Sequence, residues 1–198
     1  MTRDALPTAS SPGALPSFRY HPDPVATGAI SPEAITCSVC GNARPYRYAL
    51  PVYSEHDVGP VCPWCIADGT LAERFDAYLN DIEGRYPPGI QEELGYPPTP
   101  PYQQVPRQVV DQVCRCTPGF PSWQDVMWLV CCRDAMTYLG RISAATLRGD
   151  PELRGELASE PEVGEMLNYV DDRDEASVLC HHFRCRHCGR NRGLIDTD

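Results

Sequence analysis

The apolar residues of this chain recur at spacings that predict short helices. In a segment that begins at Asp68 or Thr70, four of them fall at i, i+4, i+7 and i+8, as on one helix face; they are Leu71, Phe75, Tyr78 and Leu79. A second helix is predicted from Pro106 to Cys116, because proline suits the first helical position and three valines fall on one side. Both helices are expected to pack one face against a core.

The predicted strands are equally short. Residues 46–54, YRYALPVYS, form an aromatic and apolar run that is typical of a strand. Residues 122–132 and 135–142 are apolar runs joined by Arg133-Asp134, which predicts a hairpin, although a single helix from Trp123 fits nearly as well. The run 179–193 indicates a strand that leads into a Cys-x-x-Cys-Gly turn.

Composition divides the chain into a lead-in and one domain. Residues 1–17 hold too few large apolar groups to offset the entropy of ordering them, so a disordered lead-in is predicted. Residues 18–198 are predicted to form a single domain. Inside it, the seven prolines of 86–106 predict an extended insertion. Residues 150–175 are predicted to form an acidic surface segment of one or two short helices broken by Pro161.

The charged residues exclude several functions. The 198 residues include 17 arginines and no lysine, which removes Schiff-base chemistry and a Walker-type phosphate lysine. A net charge of −10 argues against broad binding to nucleic acid or anionic membranes. Ten acids and two arginines lie in 150–175, a local net of −8, so the remainder of the chain is close to neutral.

Cysteine is abundant, at 11 residues. The chain has no run of 18 apolar residues and its start lacks the apolar stretch of a signal peptide, which predicts a cytoplasmic protein without membrane insertion. In a reducing compartment the cysteines are expected to be metal ligands, catalytic thiols or core residues rather than disulfides.

The first two cysteine pairs predict a zinc site. Cys37 and Cys40 are followed, after 21 residues, by Cys62 and Cys65, close to the spacing of a zinc ribbon. Gly41 suits the first turn because glycine tolerates positive φ. Two alternatives stay open. Cys62-Pro-Trp-Cys65 alone is a redox dithiol at a helix N-terminus, or all four cysteines are simply buried thiols.

A second zinc site is predicted at Cys185 and Cys188. We expect Cys131 and Cys132 to complete it from the predicted hairpin; other candidates are Cys116, Asp134, Cys180, His181 and His182. The alternative is that Cys131 is an ordinary core residue. A four-thiolate shell leaves no position for an activated water, so the sites are predicted to be structural and no catalytic residue is assigned.

Arginine and tryptophan allow two interpretations each. Four arginines surround the last cysteine pair: Arg184, Arg186, Arg190 and Arg192. They can contact phosphate or an acidic partner, but we favour the interpretation that they offset thiolate charge and pair with the acidic segment. The tryptophans are predicted to lie in the core rather than in a ligand platform; they are Trp64, Trp123 and Trp128.

Four motifs together form a distinctive set. They are Phe18-Arg-Tyr20-His21-Pro22-Asp23-Pro24 with Thr27-Gly28, Cys62-Pro63-Trp64-Cys65-Ile66-Ala67-Asp68-Gly69, Thr117-Pro118-Gly119-Phe120 with Ser122-Trp123-Gln124 and Trp128, and Phe183-Arg184-Cys185 with His187-Cys188-Gly189. This set resembles the CbrC family, uncharacterised bacterial proteins named for a colicin-tolerance protein. The resemblance implies that seven cysteines occupy family cysteine positions, that Cys131 replaces a histidine and that Met136 replaces a cysteine. It also implies a link to stress or colicin tolerance, without an established activity.

These observations predict an α+β fold, a small mixed domain organised round a treble-clef or ribbon-like zinc site with a second Cys-rich knuckle. The predicted cofactor is Zn²⁺, as one or two ions. The predicted function is a cytoplasmic, zinc-stabilised binding or adaptor protein with a protein partner that the sequence does not identify. The alternative is a thiol redox or zinc-dependent enzyme that uses Cys62 and Cys65 or an open second zinc site.

Overall fold

The structure is a computed structural model that describes residues 14–85, 104–170 and 177–198. Parts of three predictions lie outside the described residues: the lead-in over 1–13, the proline-rich insertion over 86–103 and the acidic segment over 171–175. Of the lead-in, Leu15 is described, and it packs half-buried against the first apolar cluster below.

Short elements make up the described ranges. The helices are α1 (Pro63–Ala67), α2 (Thr70–Phe75), α3 (Arg107–Cys116), α4 (Ala144–Gly149), α5 (Pro151–Leu157) and α6 (Pro161–Met166). The strands are β1 (Ile30–Ser31), β2 (Ile35–Thr36), β3 (Ala43–Arg44), β4 (Arg47–Tyr48), β5 (Asp81–Ile82), β6 (Met127–Trp128), β7 (Val130–Cys131), β8 (Asp134–Ala135), β9 (Thr137–Arg141), β10 (Val178–Arg184) and β11 (Asn191–Thr197). None of the described helices combines the length and apolar character needed to cross a bilayer.

The largest sheet is antiparallel, with strand order β11-β10-β9. Phe183 of β10 is opposite Tyr138 of β9, and Arg184 is opposite Asn191 of β11. Among the described strands, β1-β4, β2-β3 and β7-β8 pair as antiparallel two-residue ladders, and β5-β6 pairs in parallel. The molecule is therefore a mixed α/β structure in which much of the chain lies in turns.

Apolar side chains gather in three clusters. The first, around Ile66 and Leu71, surrounds the first two cysteine pairs. The second is aromatic, and in it the rings of Phe120 and Tyr138 stack with centroids 4.3 Å apart. The third packs α4, α5 and α6 against β10 and β11. Each cluster buries apolar area that stabilises the fold, since water is excluded from it.

Several predicted elements are confirmed and others are wrong in extent. The chain at the predicted junction forms the β7–β8 hairpin, so the single-helix alternative is wrong. The turn is Cys132-Arg133, one residue earlier than predicted, and Asp134 begins β8. Helix α3 starts at Arg107, one residue after the predicted Pro106. The acidic segment forms α5 and α6, with Pro161 as the first residue of α6.

The helix after Thr70 is shorter than predicted. It ends at Phe75 because Asp76 takes a left-handed conformation with φ of 43°. Tyr78 lies instead in a backbone bridge with Tyr53, which turns the predicted continuation into extended chain. Similarly, residues 46–54 contribute the two-residue strand β4 and the bridge at Tyr53 rather than one continuous strand.

Candidate metal centres

The first cluster, Cys37, Cys40, Cys62 and Cys65, brings four thiols together. Their Sγ atoms all lie within 4.8 Å of one another. Two of the distances are 3.9 Å, from Cys37 to Cys65, and 3.6 Å, from Cys62 to Cys65. Cys40 is half-buried and the other three are buried, so the cluster is closed to solvent on most sides.

A tight turn at the tip of the β2–β3 hairpin presents Cys37 and Cys40. The amide of Cys37 donates to the Asn42 carbonyl at 3.0 Å, and the amide of Gly41 donates to the Cys37 carbonyl at 2.8 Å. Gly41 has φ of 71°, which fits glycine because a Cβ atom is strained there. The turn directs both sulfur atoms to one side.

Helix α1 presents the other pair. Cys62 is the residue before the first helical turn, Pro63 occupies the first helical position and Cys65 lies within the helix. Proline is favoured there, since its missing amide hydrogen would have no helical acceptor. The amide of Cys62 also donates to Cys37 Sγ at 3.3 Å, which ties the helix start to the hairpin turn.

The second cluster, Cys131, Cys132, Cys185 and Cys188, has the same compactness. Its Sγ atoms also lie within 4.8 Å of one another. Cys131 Sγ is 3.9 Å from that of Cys132 and 3.6 Å from that of Cys188. Here two thiols are exposed, Cys132 and Cys188, so this cluster lies at the surface.

The turn at Cys185 repeats the backbone pattern of the first one. The amide of Cys185 donates to the Arg190 carbonyl at 2.8 Å, and that of Gly189 donates to the Cys185 carbonyl at 3.1 Å. Gly189 has φ of 76°. Amides of His187 and Cys188 point to Cys185 Sγ, at 3.4 and 3.5 Å. The two Cys-x-x-Cys-Gly sequences therefore fold alike.

The β7–β8 hairpin supplies Cys131 and Cys132. Its two central residues, Cys132 and Arg133, have φ of 53° and 59°, the left-handed pair of a type I′ turn. Because a two-residue turn reverses the chain so sharply, adjacent cysteines reach the same cluster. Cys131 is half-buried at this edge, and its sulfur faces the cluster.

The geometry fits a metal ion bound by four thiolates. Sulfur atoms at the corners of a tetrahedron round zinc, with Zn–S near 2.3 Å, are about 3.8 Å apart, and the four distances above range from 3.6 to 3.9 Å. A disulfide needs sulfur atoms about 2.05 Å apart. All 11 cysteines fall within the described residues, and all are free. Both clusters are compatible with metal binding.

In each cluster one thiol has a lowered pKa. Burial raises the pKa of Cys40, but hydrogen bonds from the Asn42 amide and neighbouring thiols outweigh it and hold the pKa at about 6. The Arg190 amide and neighbouring thiols lower the pKa of Cys188 to about 7. By contrast, burial raises the pKa of Cys62 to about 11 and raises that of Cys131. A bound cation would favour the ionised form of these neighbouring thiols and so oppose the effect of burial on their pKa values.

Asp134 lies beside the second cluster but outside its four-thiol set. It accepts hydrogen bonds from the Tyr20 hydroxyl at 2.6 Å and from His187 Nε2 at 2.9 Å. Arg19 and Arg186 approach the same carboxylate, at 3.5 and 3.8 Å. Burial raises the pKa of Asp134, but the bonds from Tyr20 and His187 outweigh it and keep the pKa below its ordinary value.

The other candidate ligands lie elsewhere. His181 is fully buried between Tyr138 and Asp196, and His182 Nε2 is 2.8 Å from Asn191 Oδ1. Cys180 is buried in the third apolar cluster, and Cys116 lies near Gly69. The sequence alone offered no signal for the contact between Tyr20 and Asp134, since 114 residues separate them.

The arginines near Cys188 are mostly paired with acids. Arg192 contacts Glu83 at 2.6 Å and Glu160 at 2.7 Å, and Arg190 approaches Glu160 at 4.0 Å. Glu160 belongs to the acidic segment, as the favoured interpretation expects. Glu83 lies just after β5, outside the acidic segment, so the sequence did not suggest it as a partner of Arg192.

Comparison with known proteins identifies relatives along almost the whole chain. A family model described as an uncharacterised protein family, UPF0167, matches residues 15–197. The chain belongs to the UPF0167 family. The UPF0167 protein PA1536 of Pseudomonas aeruginosa is 42% identical over 195 residues, which cover 92% of this chain and 97% of that protein. The UPF0167 protein Mb2317 of Mycobacterium bovis is 36% identical over 196 residues, with 94% and 96% covered. No solved structure matches the chain significantly.

The UPF0167 match includes both cysteine clusters. The predicted resemblance to an uncharacterised bacterial family is confirmed at this level. The name CbrC and the link to colicin tolerance stay predictions.

Proposed function

We propose that this UPF0167 protein binds two zinc ions, one in each cysteine cluster, and acts as a non-enzymatic binding or adaptor protein in the cytoplasm. The observation that supports this most is the convergence of two sets of four Sγ atoms, each within 4.8 Å. Thiolates are soft ligands, and a tetrahedral set of four favours zinc. The eight ligands are Cys37, Cys40, Cys62, Cys65, Cys131, Cys132, Cys185 and Cys188.

The elements that hold each cluster suggest its class. In the first, one pair comes from a hairpin turn and the other from the start of α1, the arrangement of a treble clef. In the second, both pairs come from hairpin turns, as in a zinc ribbon. We therefore assign a treble-clef-like first site and a ribbon-like second site.

A structural role follows from the closed shells. Four thiolates saturate tetrahedral zinc, so no position is left for water or substrate. Each ion links segments that lie far apart in the sequence, and such links replace apolar core in a chain rich in turns. The proposed partner is a protein, because the net charge of −10 disfavours nucleic acid.

The enzymatic alternative has weaker support. A redox dithiol needs an accessible thiol with a lowered pKa. Cys62 is fully buried, and burial raises its pKa to about 11. In the second cluster the exposed Cys188 has the lowered pKa, but its sulfur belongs to the four-thiol set that the proposed zinc ion would engage.

Thermal unfolding with and without a chelator tests this proposal. We expect removal of metal to lower Tm by more than about 10 °C, because binding energy is folding energy in such sites. Cys37→Ser should lower metal content by one ion, and Cys185→Ser by one ion from the other site. Cys116→Ser, which changes a thiol outside both clusters, should keep both ions. A metal-free chain with unchanged Tm would overturn the proposal.

A further inference from the structure

Two exposed aromatic residues line a cleft far from either cysteine cluster. Trp123 is 48% exposed and Tyr53 is 47% exposed, and both line a cleft of about 220 Å³ with Pro51 and Pro121. The prediction that all tryptophans lie in the core is thus wrong for Trp123, whereas Trp128 is fully buried. Large apolar side chains that share one exposed depression are typical of a binding site.

The cleft has a positive charge in an acidic protein. Among the described residues that line it, Arg141 is the one charged side chain. Within the described ranges its guanidinium has no hydrogen-bond or ion-pair partner, whereas Arg192 has two carboxylates. Arginine binds carboxylates through a planar fork of donors, so an unpaired guanidinium beside aromatic rings suits a planar acid.

Hydrogen bonds to a buried carboxylate hold the loop that carries Trp123. The amides of Trp123 and Gln124 donate to the Asp196 carboxylate, at 3.0 and 3.3 Å. Asp196 is 1% exposed, and His181 Nε2 lies 3.3 Å from it, while His181 Nδ1 is 3.0 Å from the Tyr138 hydroxyl. The contacts thus pair the buried groups of Asp196 and His181, as burial of polar groups requires, and link them to the backbone of the loop.

The contacts with Asp196 hold the backbone of Trp123 and Gln124 at the edge of the cleft. Ligand binding there therefore does not need to order the loop backbone, which lowers its entropy cost. No cysteine of either cluster lines the cleft in the described structure. The metal centres therefore do not account for this arrangement.

We propose that the cleft binds an aromatic carboxylate, with the ring against Trp123 and Tyr53 and the carboxylate on Arg141. The volume of about 220 Å³ is below the roughly 300–1,000 Å³ of sites that enclose drug-sized ligands, so one ring and a short acidic arm fill it. Two sources share this chemistry: a free aromatic acid, and the C-terminal aromatic residue of a peptide. The inference does not depend on the identity of the bound metal.

Titration followed by ¹H–¹⁵N NMR of the full, metal-loaded chain tests the proposal. The probes are 3-phenylpropionate, its neutral amide and the tripeptide Gly-Gly-Phe. We expect the indole signal of Trp123 to shift saturably with a Kd of about 1 mM, in line with the affinity per atom of small ligands. The neutral amide should bind at least about tenfold more weakly, since it lacks the charge that Arg141 pairs with.

Variants separate this site from general surface binding. Arg141→Gln should weaken binding of the acid about tenfold, and Trp123→Ala, followed through the side-chain amide of Gln124, should abolish saturation. Leu139→Ala and Arg148→Gln are matched controls, because Leu139 is 46% exposed and neither residue lines the cleft. Saturation by 3-phenylpropionate identifies a free acid, and saturation by the tripeptide alone identifies a peptide terminus; either supports the proposal.

Three results would overturn the proposal. One is the absence of saturable shifts with both acids up to about 10 mM, the weakest affinity expected for ligands of this size. Another is equal binding of the acid and its amide. The third is wild-type affinity in both Arg141→Gln and Trp123→Ala.

Discussion

At the scale of single residues, exposure divides the eight cluster cysteines. Cys132 and Cys188 are exposed, whereas none of the first cluster is. Reagents reach exposed sulfur first, and exposed metal-bound thiolates exchange their ion more readily than buried ones. The two proposed zinc ions are therefore expected to differ in lability, although both have four sulfur ligands.

The first prediction concerns the order of zinc release. With limiting N-ethylmaleimide, one ion per chain should leave rapidly and the other at least about tenfold more slowly, because the reagent reaches the second cluster first. A colorimetric zinc indicator measures the release, and peptide mapping identifies the modified residues. Cys132→Ser should remove the rapid phase and Cys116→Ser should leave it unchanged. Simultaneous release of both ions would contradict this expectation.

The second prediction concerns His21, which is fully buried. Its Nδ1 lies 3.0 Å from the Pro118 carbonyl, which can only accept, so Nδ1 carries the proton and Nε2 accepts from the Thr27 hydroxyl at 2.7 Å. Burial outweighs these contacts and lowers the pKa of His21 from 6.5 to about 4. Below pH 6.5 the unfolded chain therefore binds the proton more readily, and stability falls as pH falls towards 4.

His21 alone should remove about 2 kcal/mol of unfolding free energy between about pH 7 and pH 5. Urea denaturation at several pH values measures this slope. His21→Gln should be less stable at neutral pH but should show a shallower slope. His56→Gln, at an exposed position, should keep the wild-type slope. A wild-type slope in His21→Gln would assign the pH dependence to other groups.

At the scale of elements, the two Cys-x-x-Cys-Gly turns share one backbone design. In each, a cysteine amide donates to a carbonyl five residues on and the glycine takes positive φ. The glycine is required because a side chain at this φ is strained by about 1–2 kcal/mol.

The third prediction tests that requirement. Gly41→Ala and Gly189→Ala should each lower the free energy of unfolding by about 1–2 kcal/mol. For Gly41 the cause is backbone strain alone, because an added Cβ would meet no atom within 4 Å. Gly149→Ala is the control. Gly149 lies at the end of α4, its φ is not positive, and an added Cβ would likewise meet no atom within 4 Å. Equal stability of all three variants would show that the turns tolerate a side chain.

The sequence predicted these turns well because glycine and cysteine spacing are local signals. It also predicted the β7–β8 hairpin, whose turn lies at a break between apolar runs. It failed for the helix after Thr70, because the apolar spacing continues past Phe75 while the backbone does not. The side chain of Leu79 is buried by tertiary packing, and periodicity alone cannot distinguish that from a longer helical face.

At the scale of the whole molecule, Arg192 joins three distant parts of the chain. From β11 it contacts Glu83 after β5, the Val130 carbonyl in β7 and Glu160 before α6. Glu83 and Arg192 are 109 residues apart, and no local sequence pattern predicts their contact. For the same reason the cleft at Trp123 could not be predicted, because its walls come from separate segments.

The fourth prediction follows from this contact. Arg192→Met should lower the free energy of unfolding by about 2–3 kcal/mol, since it leaves two partly buried carboxylates without their cation. Arg107→Met is the control, because Arg107 is 93% exposed and its contact with Asp111 is 3.7 Å. The Arg107→Met variant should lose less than about 0.5 kcal/mol of unfolding free energy. Denaturant titration at neutral pH measures both, and equal losses would exclude a special role for Arg192.

Each cluster joins two cysteine pairs from separate segments of the chain, and the proposed metal ions account for their convergence. Native mass spectrometry of the purified chain tests this claim most directly. The account predicts a mass that corresponds to two zinc ions per chain with the cluster thiols deprotonated, and one ion fewer in Cys37→Ser and in Cys185→Ser. A folded chain with the mass of the metal-free polypeptide and all thiols protonated would contradict it.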